Sequence, residues 1–426
     1  MALEFLQQVR ILDPSANYDR IGDVVLDNGV IKAIGPTLPI PDSAVVINGQ
    51  GCVFGPGLTD LYSRSGEPGH EERETLESLL ESAISGGFTN LNLLPNTTPA
   101  LDNSGQLTWM RNKVSSLTAS SLTAIRHGPN VQFWGALTLN VAGQQLCEFA
   151  ELEPYVIGFS DGKPVPAALM LRRILDYLQP LSNPIMLWPC DANLTGHGTI
   201  RDGVNALKFG LPGIPSSAET VPIAMILELL REIQTPVHLM RISTARAVEL
   251  IAVAKSEGLP VTASVTWQHL LYDTNHLQNY DPNLRFLSPL GNPIDRIALI
   301  QAIKSGVIDA IAIDHSGYTY EEKTVAFGET IPGAIGFEFA LAELWNSLVK
   351  SGTLTALELW RSLSQRPMSC LNQTLQSIQP ENQQSLILFD PNESWLVTEQ
   401  MLKSRSHNTH LLNQTIQGKV IKTWCQ

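Results

Sequence analysis

Paired cysteines, basic charge and long apolar runs are all scarce in this chain, and each shortage removes a class of function. The five cysteines (Cys52, Cys147, Cys190, Cys370, Cys425) are odd in number and widely scattered, with no C-x-x-C pair. Neither a disulfide framework nor a thiolate zinc site is expected from such spacing. Lys and Arg number 28 against 41 Asp and Glu, a formal net charge of −13, which argues against nucleic acid or an anionic membrane surface as partner. No apolar run reaches the roughly 18 residues of a membrane span. The N-terminal MALEFLQQVR has no basic stretch leading into an apolar core, so a cytoplasmic protein is expected. Charged residues make up only 16% of the 426, hydrophobic ones 43%. That balance favours a large buried core with little disorder.

What is present falls into two textures. Residues 1–56 read as short strands with turns: Val9–Leu12, Asp23–Leu26, Val30–Ile34, Ala44–Ile47 and Cys52–Phe54. Asp27-Asn28-Gly29 is a hairpin signal, because Asn-Gly tolerates the positive φ angles of a type I′ turn. The C-terminal part is similar, with strands at Ser385–Asp390, Ser394–Thr398 and Gln417–Trp424. Between them helix-like and strand-like segments alternate: Leu76–Ser85 then Asn90–Leu94, Ala218–Ile233 then Val237–Ile242, Thr244–Ser256 then Pro260–Val265, Asp295–Ser305 then Ala310–Ile313. Alternation at this length implies a parallel sheet with crossover helices, and a closed (β/α)8 TIM barrel suits the size. The expected division is an α/β barrel over 57–372, with 1–56 and 373–426 forming one composite β-sandwich. Residues 276–293 read as a loop on the catalytic face.

Residues 52–103, CVFGPGLTDLYSRSGEPGHEERETLESLLESAISGGFTNLNLLPNTTPALDN, organise the rest. The turn Pro56-Gly57-Leu58-Thr59-Asp60, the acidic helix and the strand leading into Pro95-Asn96-Thr97 resemble the opening of a bacterial dihydroorotase, an amidohydrolase. The resemblance continues through Gly158-Phe159-Ser160-Asp161-Gly162-Lys163-Pro164-Val165, Phe209–Glu219, Ser243-Thr244-Ala245, Gly258–Thr266 and Ile308–His315, and on to Leu388-Phe389-Asp390-Pro391. It implies an enzyme that opens and closes a cyclic amide with a zinc-bound hydroxide while an aspartate shuttles the proton.

The residues that such chemistry needs have been replaced. The family's His-x-His pair, two histidines on one face of a strand and able to grip one metal, falls on Tyr62 and Arg64. The later ligand positions fall on Asp161, Pro189, Arg241 and Asp314. Proline offers no side-chain donor, and arginine is permanently charged and repels a divalent cation. Two guanidinium groups within about 4 Å of a metal would cost several kcal/mol. Tyr62 would have to ionise from an ordinary pKa of about 10. The family's substrate-gripping positions are eroded too: they read Gly66, Leu287 (with Arg285 nearby) and Tyr318, and only Asn96 remains. No metal is expected, and zinc would return only with an enzyme reading.

Asp314, the one catalytic position retained, has two readings: a proton shuttle, or a carboxylate whose counter-charge is now Arg64 or Arg241. Arg64, Arg241 and Asn96 are candidate substrate contacts, Asn96 being equally good turn chemistry. Asp161 suits a turn or cap as well as an electrostatic role. His238 is three residues before Arg241, and in a regular strand it would face away from the pocket, as a core or interface residue. His269 could reach the pocket but lacks partner ligands. His197 lies in a polar loop, and Cys190 has no activating base nearby.

Three functions follow. The first is a catalytically silent dihydroorotase-like protein, which the resemblance implies would partner aspartate carbamoyltransferase in a homo- or hetero-oligomer. The second is an altered hydrolase acting on a cyclic amide through Asp314 and the arginines. The third is a non-catalytic sensor of pyrimidine precursors. Fold alone does not rank them.

Overall fold

A computed structural model describes residues 3–119 and 128–426. Eight parallel strands follow one another around a barrel: Leu58–Ser63, Phe88–Leu93, Asn130–Gly135, Gly158–Phe159, Ile185–Leu187, Val237–Leu239, Val261–Thr266 and Ala310–Ala312. The last meets the first through two backbone hydrogen bonds, Asp314 N–H to the Tyr62 carbonyl (3.2 Å) and Arg64 N–H to the His315 carbonyl (2.9 Å). The α/β barrel expected from the alternation is therefore the fold.

The helices between strands follow from apolar spacing and caps. In Leu76–Ser85, residues Leu76, Leu79, Leu80 and Ala83 are buried, one stripe of a 3.6-residue period. Thr75 caps its start in a reciprocal pair with Ser78. The observed Ser217–Ile233, Ala245–Ser256 and Pro293–Ser305 lie within two residues of their expected starts.

Strands from both ends of the sequence join one further sheet of seven strands. Its backbone is Leu3–Asp13, which pairs along one edge with Tyr18–Asp27 and along the other first with Val45–Asn48 and then with Val53–Pro56. The change of neighbour coincides with a register shift between Leu6 and Val9, where Gln8 has φ 54°. Such a bulge bends a strand and increases its twist. Leu386–Leu396 then pairs antiparallel with Val53–Pro56, and Thr415–Trp424 with Leu386–Leu396. Leu6, Ile11, Val24, Phe54, Leu388 and Trp424 close a second core inside this sheet. Asn28 (φ 51°) and Gly29 (φ 81°) form the expected hairpin turn.

One carboxylate spans the seam of the barrel. Asp60, fully buried, accepts from Ser63 Oγ (2.5 Å) and from Ile313 N–H (2.8 Å), and Ser63 Oγ in turn accepts from His315 N–H at 3.0 Å. Burial, partly offset by these donors, raises its pKa from 3.8 to about 7. Between those values the folded chain holds a proton that the unfolded chain has released, so Asp60's contribution falls as pH rises through this window. The Asp60→Asn variant cannot ionise there. Relative to it, the wild-type chain should lose up to ~4 kcal/mol of unfolding free energy between about pH 4 and pH 7, as measured by urea denaturation across that range. Parallel pH profiles would remove this role for Asp60.

Candidate functional site

The residues that the sequence singled out converge where the barrel strands end, the edge that carries the catalytic loops in this architecture. Tyr62 is the last residue but one of the first strand and Arg64 follows it. Trp188 and Pro189 follow Ile185–Leu187, Arg241 stands two residues past Val237–Leu239, and Asp314 two past Ala310–Ala312.

At the centre is an ion pair. Arg241 Nε and Nη2 donate to Asp314 Oδ2 and Oδ1 at 2.6 and 2.7 Å, a two-pronged geometry that only a guanidinium offers. The rings of Trp188 and Tyr62 lie 5.1 and 5.3 Å from the guanidinium carbon. Arg241 Nη1 donates to the Gly162 carbonyl at 3.3 Å, and Arg241 N–H to the Tyr62 hydroxyl at 3.0 Å. The Arg241 side chain is 1% exposed and that of Asp314 15%. Burial opposes the charge on Arg241, yet Asp314 outweighs it and the guanidinium pKa rises further. Of the two counter-charges considered for Asp314, the structure selects Arg241. Arg64 turns aside and donates to the Tyr318 hydroxyl at 3.1 Å.

Both members of the pair have positive φ, 59° at Arg241 and 52° at Asp314, a region that non-glycine residues seldom occupy. This explains two departures from the sequence reading. The expected strand Val237–Ile242 stops at Leu239, because left-handed backbone at Arg241 cannot continue a ladder. It also corrects His238. The alternation rule turns it away from the pocket only if the strand runs regularly to Arg241. Instead His238 meets Thr262 Oγ1 (2.9 Å) and Ser264 Oγ (2.8 Å) across the barrel. Ser264 Oγ in turn lies 3.2 Å from the Tyr62 hydroxyl. Burial depresses the His238 pKa to about 3, so a neutral imidazole supports Tyr62 from below.

The other candidates are already engaged. Asp161 accepts from Leu137 N–H (2.8 Å), Thr138 N–H (3.0 Å) and Thr138 Oγ1 (2.6 Å), fixing the loop after Asn130–Gly135. Burial raises its pKa despite these donors. His269 is pinned between Thr266 Oγ1 (2.7 Å) and the Ser288 carbonyl (3.0 Å), and burial lowers its pKa to about 4. Cys190 is half-buried, with its thiol pKa raised by burial. His197 is exposed and Asn96 half-buried. A side chain at Gly66 would start 2.4 Å from the Glu74 carbonyl oxygen, so backbone fills the space of the family's first arginine.

The loop expected over 276–293 does cover the mouth, and three side chains fasten it. Trp188 Nε1 donates to Ser288 Oγ (3.1 Å), and His269 holds the Ser288 carbonyl. Arg285 Nη1 donates to the carbonyls of Phe327, Gly328 and Thr330 at 3.1, 2.7 and 2.5 Å. What remains over the ion pair, between Phe286, Leu287, Ser288 and Gly333, is a cavity of about 10 Å³. That is at the lower limit for one water molecule.

These residues do not fit a catalytic zinc ion. The first-strand phenol is held neutral, its pKa pushed up by burial and by Asp314, and a guanidinium lies where a neutral imidazole would be needed. Among the described residues no three His, Cys, Asp or Glu side chains are grouped to hold a metal. No helix among them is long and apolar enough to cross a membrane. Sequence reasoning passed over Trp188, Ser264 and Asp60. An aromatic one residue before the lost ligand Pro189 was the available signal for Trp188.

Comparison with known proteins agrees with the scaffold. A family model described as dihydro-orotase-like matches residues 51–247. A probable dihydroorotase-like protein of Synechocystis sp. is 43% identical, the match covering 97% of this chain and 98% of that protein. A dihydroorotase of Syntrophus aciditrophicus is 33% identical over 98% of this chain and 96% of its own. Among solved structures, the L-hydantoinase (dihydropyrimidinase) of Arthrobacter aurescens superposes with a TM-score of 0.82 at 18% identity, covering 99% of this chain and 94% of that one; this likeness is one of fold. The near-complete coverage by sequence relatives places the chain in the dihydroorotase-like family of the amidohydrolases.

Proposed function

We propose that this protein is a catalytically silent dihydroorotase-like protein of pyrimidine biosynthesis that acts as a structural partner of aspartate carbamoyltransferase. The observation that carries the first half is the Arg241–Asp314 pair. The aspartate that would shuttle a proton has both oxygens bound to a fixed cation. Both carboxylate oxygens are thus engaged by the guanidinium, and turning either toward a substrate would break a buried pair. The space left beside it, about 10 Å³, is far below the several hundred Å³ of a small-molecule pocket. The same space disfavours an altered hydrolase and a precursor sensor, both of which need a ligand beside Arg241. The partner half rests on the resemblance, in which a scaffold kept nearly end to end outlives its chemistry.

Protein purified without chelator should hold far less than one zinc per chain by elemental analysis and should not hydrolyse dihydroorotate when zinc is added. Stoichiometric zinc with turnover would overturn the silent reading. Aspartate carbamoyltransferase should co-purify with the chain and gain stability or activity from it. A carbamoyltransferase that is not recovered, and is fully stable and active alone, would refute the partnership.

The ion pair predicts a stability pattern. Asp314→Ala leaves Arg241 buried and unanswered and should cost ~3–5 kcal/mol in denaturant unfolding, whereas Arg241→Met combined with Asp314→Ala should recover most of the loss. Equal losses in the single and double variants would mean that the pair is not coupled as its geometry indicates.

A further inference from the structure

Beside the filled mouth lies a second and far larger space. It is a cavity of about 600 Å³ between the covering loop, the turn after the last barrel strand and the C-terminal segment, with Asp281, Tyr318, Lys323, Arg405, Asn408 and His410 on its walls. The two cavities share no lining residue. Tyr318 turns its hydroxyl to Arg64 (3.1 Å), while its ring lies 5.7 Å from Lys323 Nζ. Several hundred Å³ with a few convergent polar groups is the form of a small-molecule pocket.

Lys323 decides what charge the cavity seeks. It is 5% exposed, and its Nζ donates to the carbonyls of Ile331 and Gly333 at 2.9 and 3.0 Å. Asn408 Nδ2 shares the Gly333 carbonyl at 3.3 Å. An ammonium has three donors, so one N–H remains. Among the described residues no carboxylate pairs with it. Asp281 and Glu322 favour its charge from farther away and Arg285 opposes it, but burial prevails and lowers its pKa to about 8. A buried cation is costly until an anion answers it. Arg405 is exposed, and its guanidinium likewise has no partner among the described residues; only its backbone N–H is engaged, by Glu74 at 2.8 Å. His410 adds no charge, since its Nε2 meets the Tyr272 hydroxyl (2.8 Å) and burial depresses its pKa to about 4. Acceptors complete the walls. Asp281 spends Oδ1 on the Asn283 N–H (2.9 Å) and keeps Oδ2, and exposed Glu399 stands 3.8 Å from His407.

We propose that this cavity binds an anionic polyol, a sugar phosphate or a sugar acid, with its anionic group against Lys323 and Arg405 and its hydroxyls on Asp281 and Glu399. Two cations answer the anion, and carboxylates that would repel it elsewhere accept from hydroxyl groups. The site does not involve the Arg241–Asp314 pair, and it stands whether or not the chain is catalytically silent.

Titration calorimetry of the full chain with ribose 5-phosphate and with gluconate tests this. At least one should bind, one molecule per chain; ribose 5-phosphate alone would identify a phosphate site, gluconate alone a carboxylate site. Affinity should fall ~tenfold between about pH 7 and pH 9, as Lys323 loses its proton while the charge of either probe stays constant. Arg405→Glu should weaken binding by ~tenfold or more with an unchanged melting temperature, because that side chain holds nothing in the free chain. Lys323→Met should abolish binding; since Lys323 also ties down two carbonyls, Arg405→Glu and the pH profile carry the test if that variant does not fold. No binding of either probe, an affinity unchanged across that pH range, indifference to Arg405→Glu, or inorganic phosphate bound as tightly as the probe would each overturn the assignment.

Discussion

A guanidinium buried to 1% exposure must be answered by charge and by hydrogen bonds on nearly every side, and much of the barrel mouth is arranged to answer Arg241. Asp314 supplies the charge, Gly162 a carbonyl, and Tyr62 and Trp188 their ring faces. Each of these groups is then held by another. Tyr62 leans on Ser264 and His238, and Trp188 is tied through Ser288 to the covering loop. One cation fixed inside the protein thus links six barrel strands and a loop.

The backbone around the pair keeps features that a plain structural barrel does not need. Left-handed φ at two non-glycine residues facing each other is costly, and such outliers gather at functional sites. Here both ends of the outlier pair serve an internal salt bridge. Strand ends shaped to aim side chains inward still do so, and an arginine now fills the space toward which they aim.

The sequence made the architecture legible for physical reasons. The apolar texture of the alternating segments places Leu76–Ser85, Ser217–Ile233 and Pro293–Ser305, and Asn-Gly places a hairpin. The lost donors were equally readable, because proline and arginine cannot ligate metal whatever surrounds them. What could not be read was backbone sign. Nothing in Met240-Arg241-Ile242 announces φ 59° at Arg241, and a rule that counts alternation along a strand fails where the strand has ended; hence the misjudged side of His238. Which of two arginines would take Asp314 is likewise a matter of a few ångströms, below the resolution of spacing arguments.

The seven-stranded sheet draws its strands from both ends of the sequence. Leu386–Leu396 lies between Val53–Pro56 and Thr415–Trp424, antiparallel to both, so the late pair of strands can reach the early ones only after the barrel between them has been made. More than three hundred residues, the whole barrel among them, separate the halves of that pairing. During synthesis the early strands must therefore wait, with Phe54 and Ile11 uncovered, until the barrel has emerged and the late strands return to them. Long-range pairing of this kind is slow and leaves apolar edges open in the interval. The price of a sheet stitched from both ends is a nascent chain that stays unfinished, and open to wrong neighbours, until almost all of it has been made.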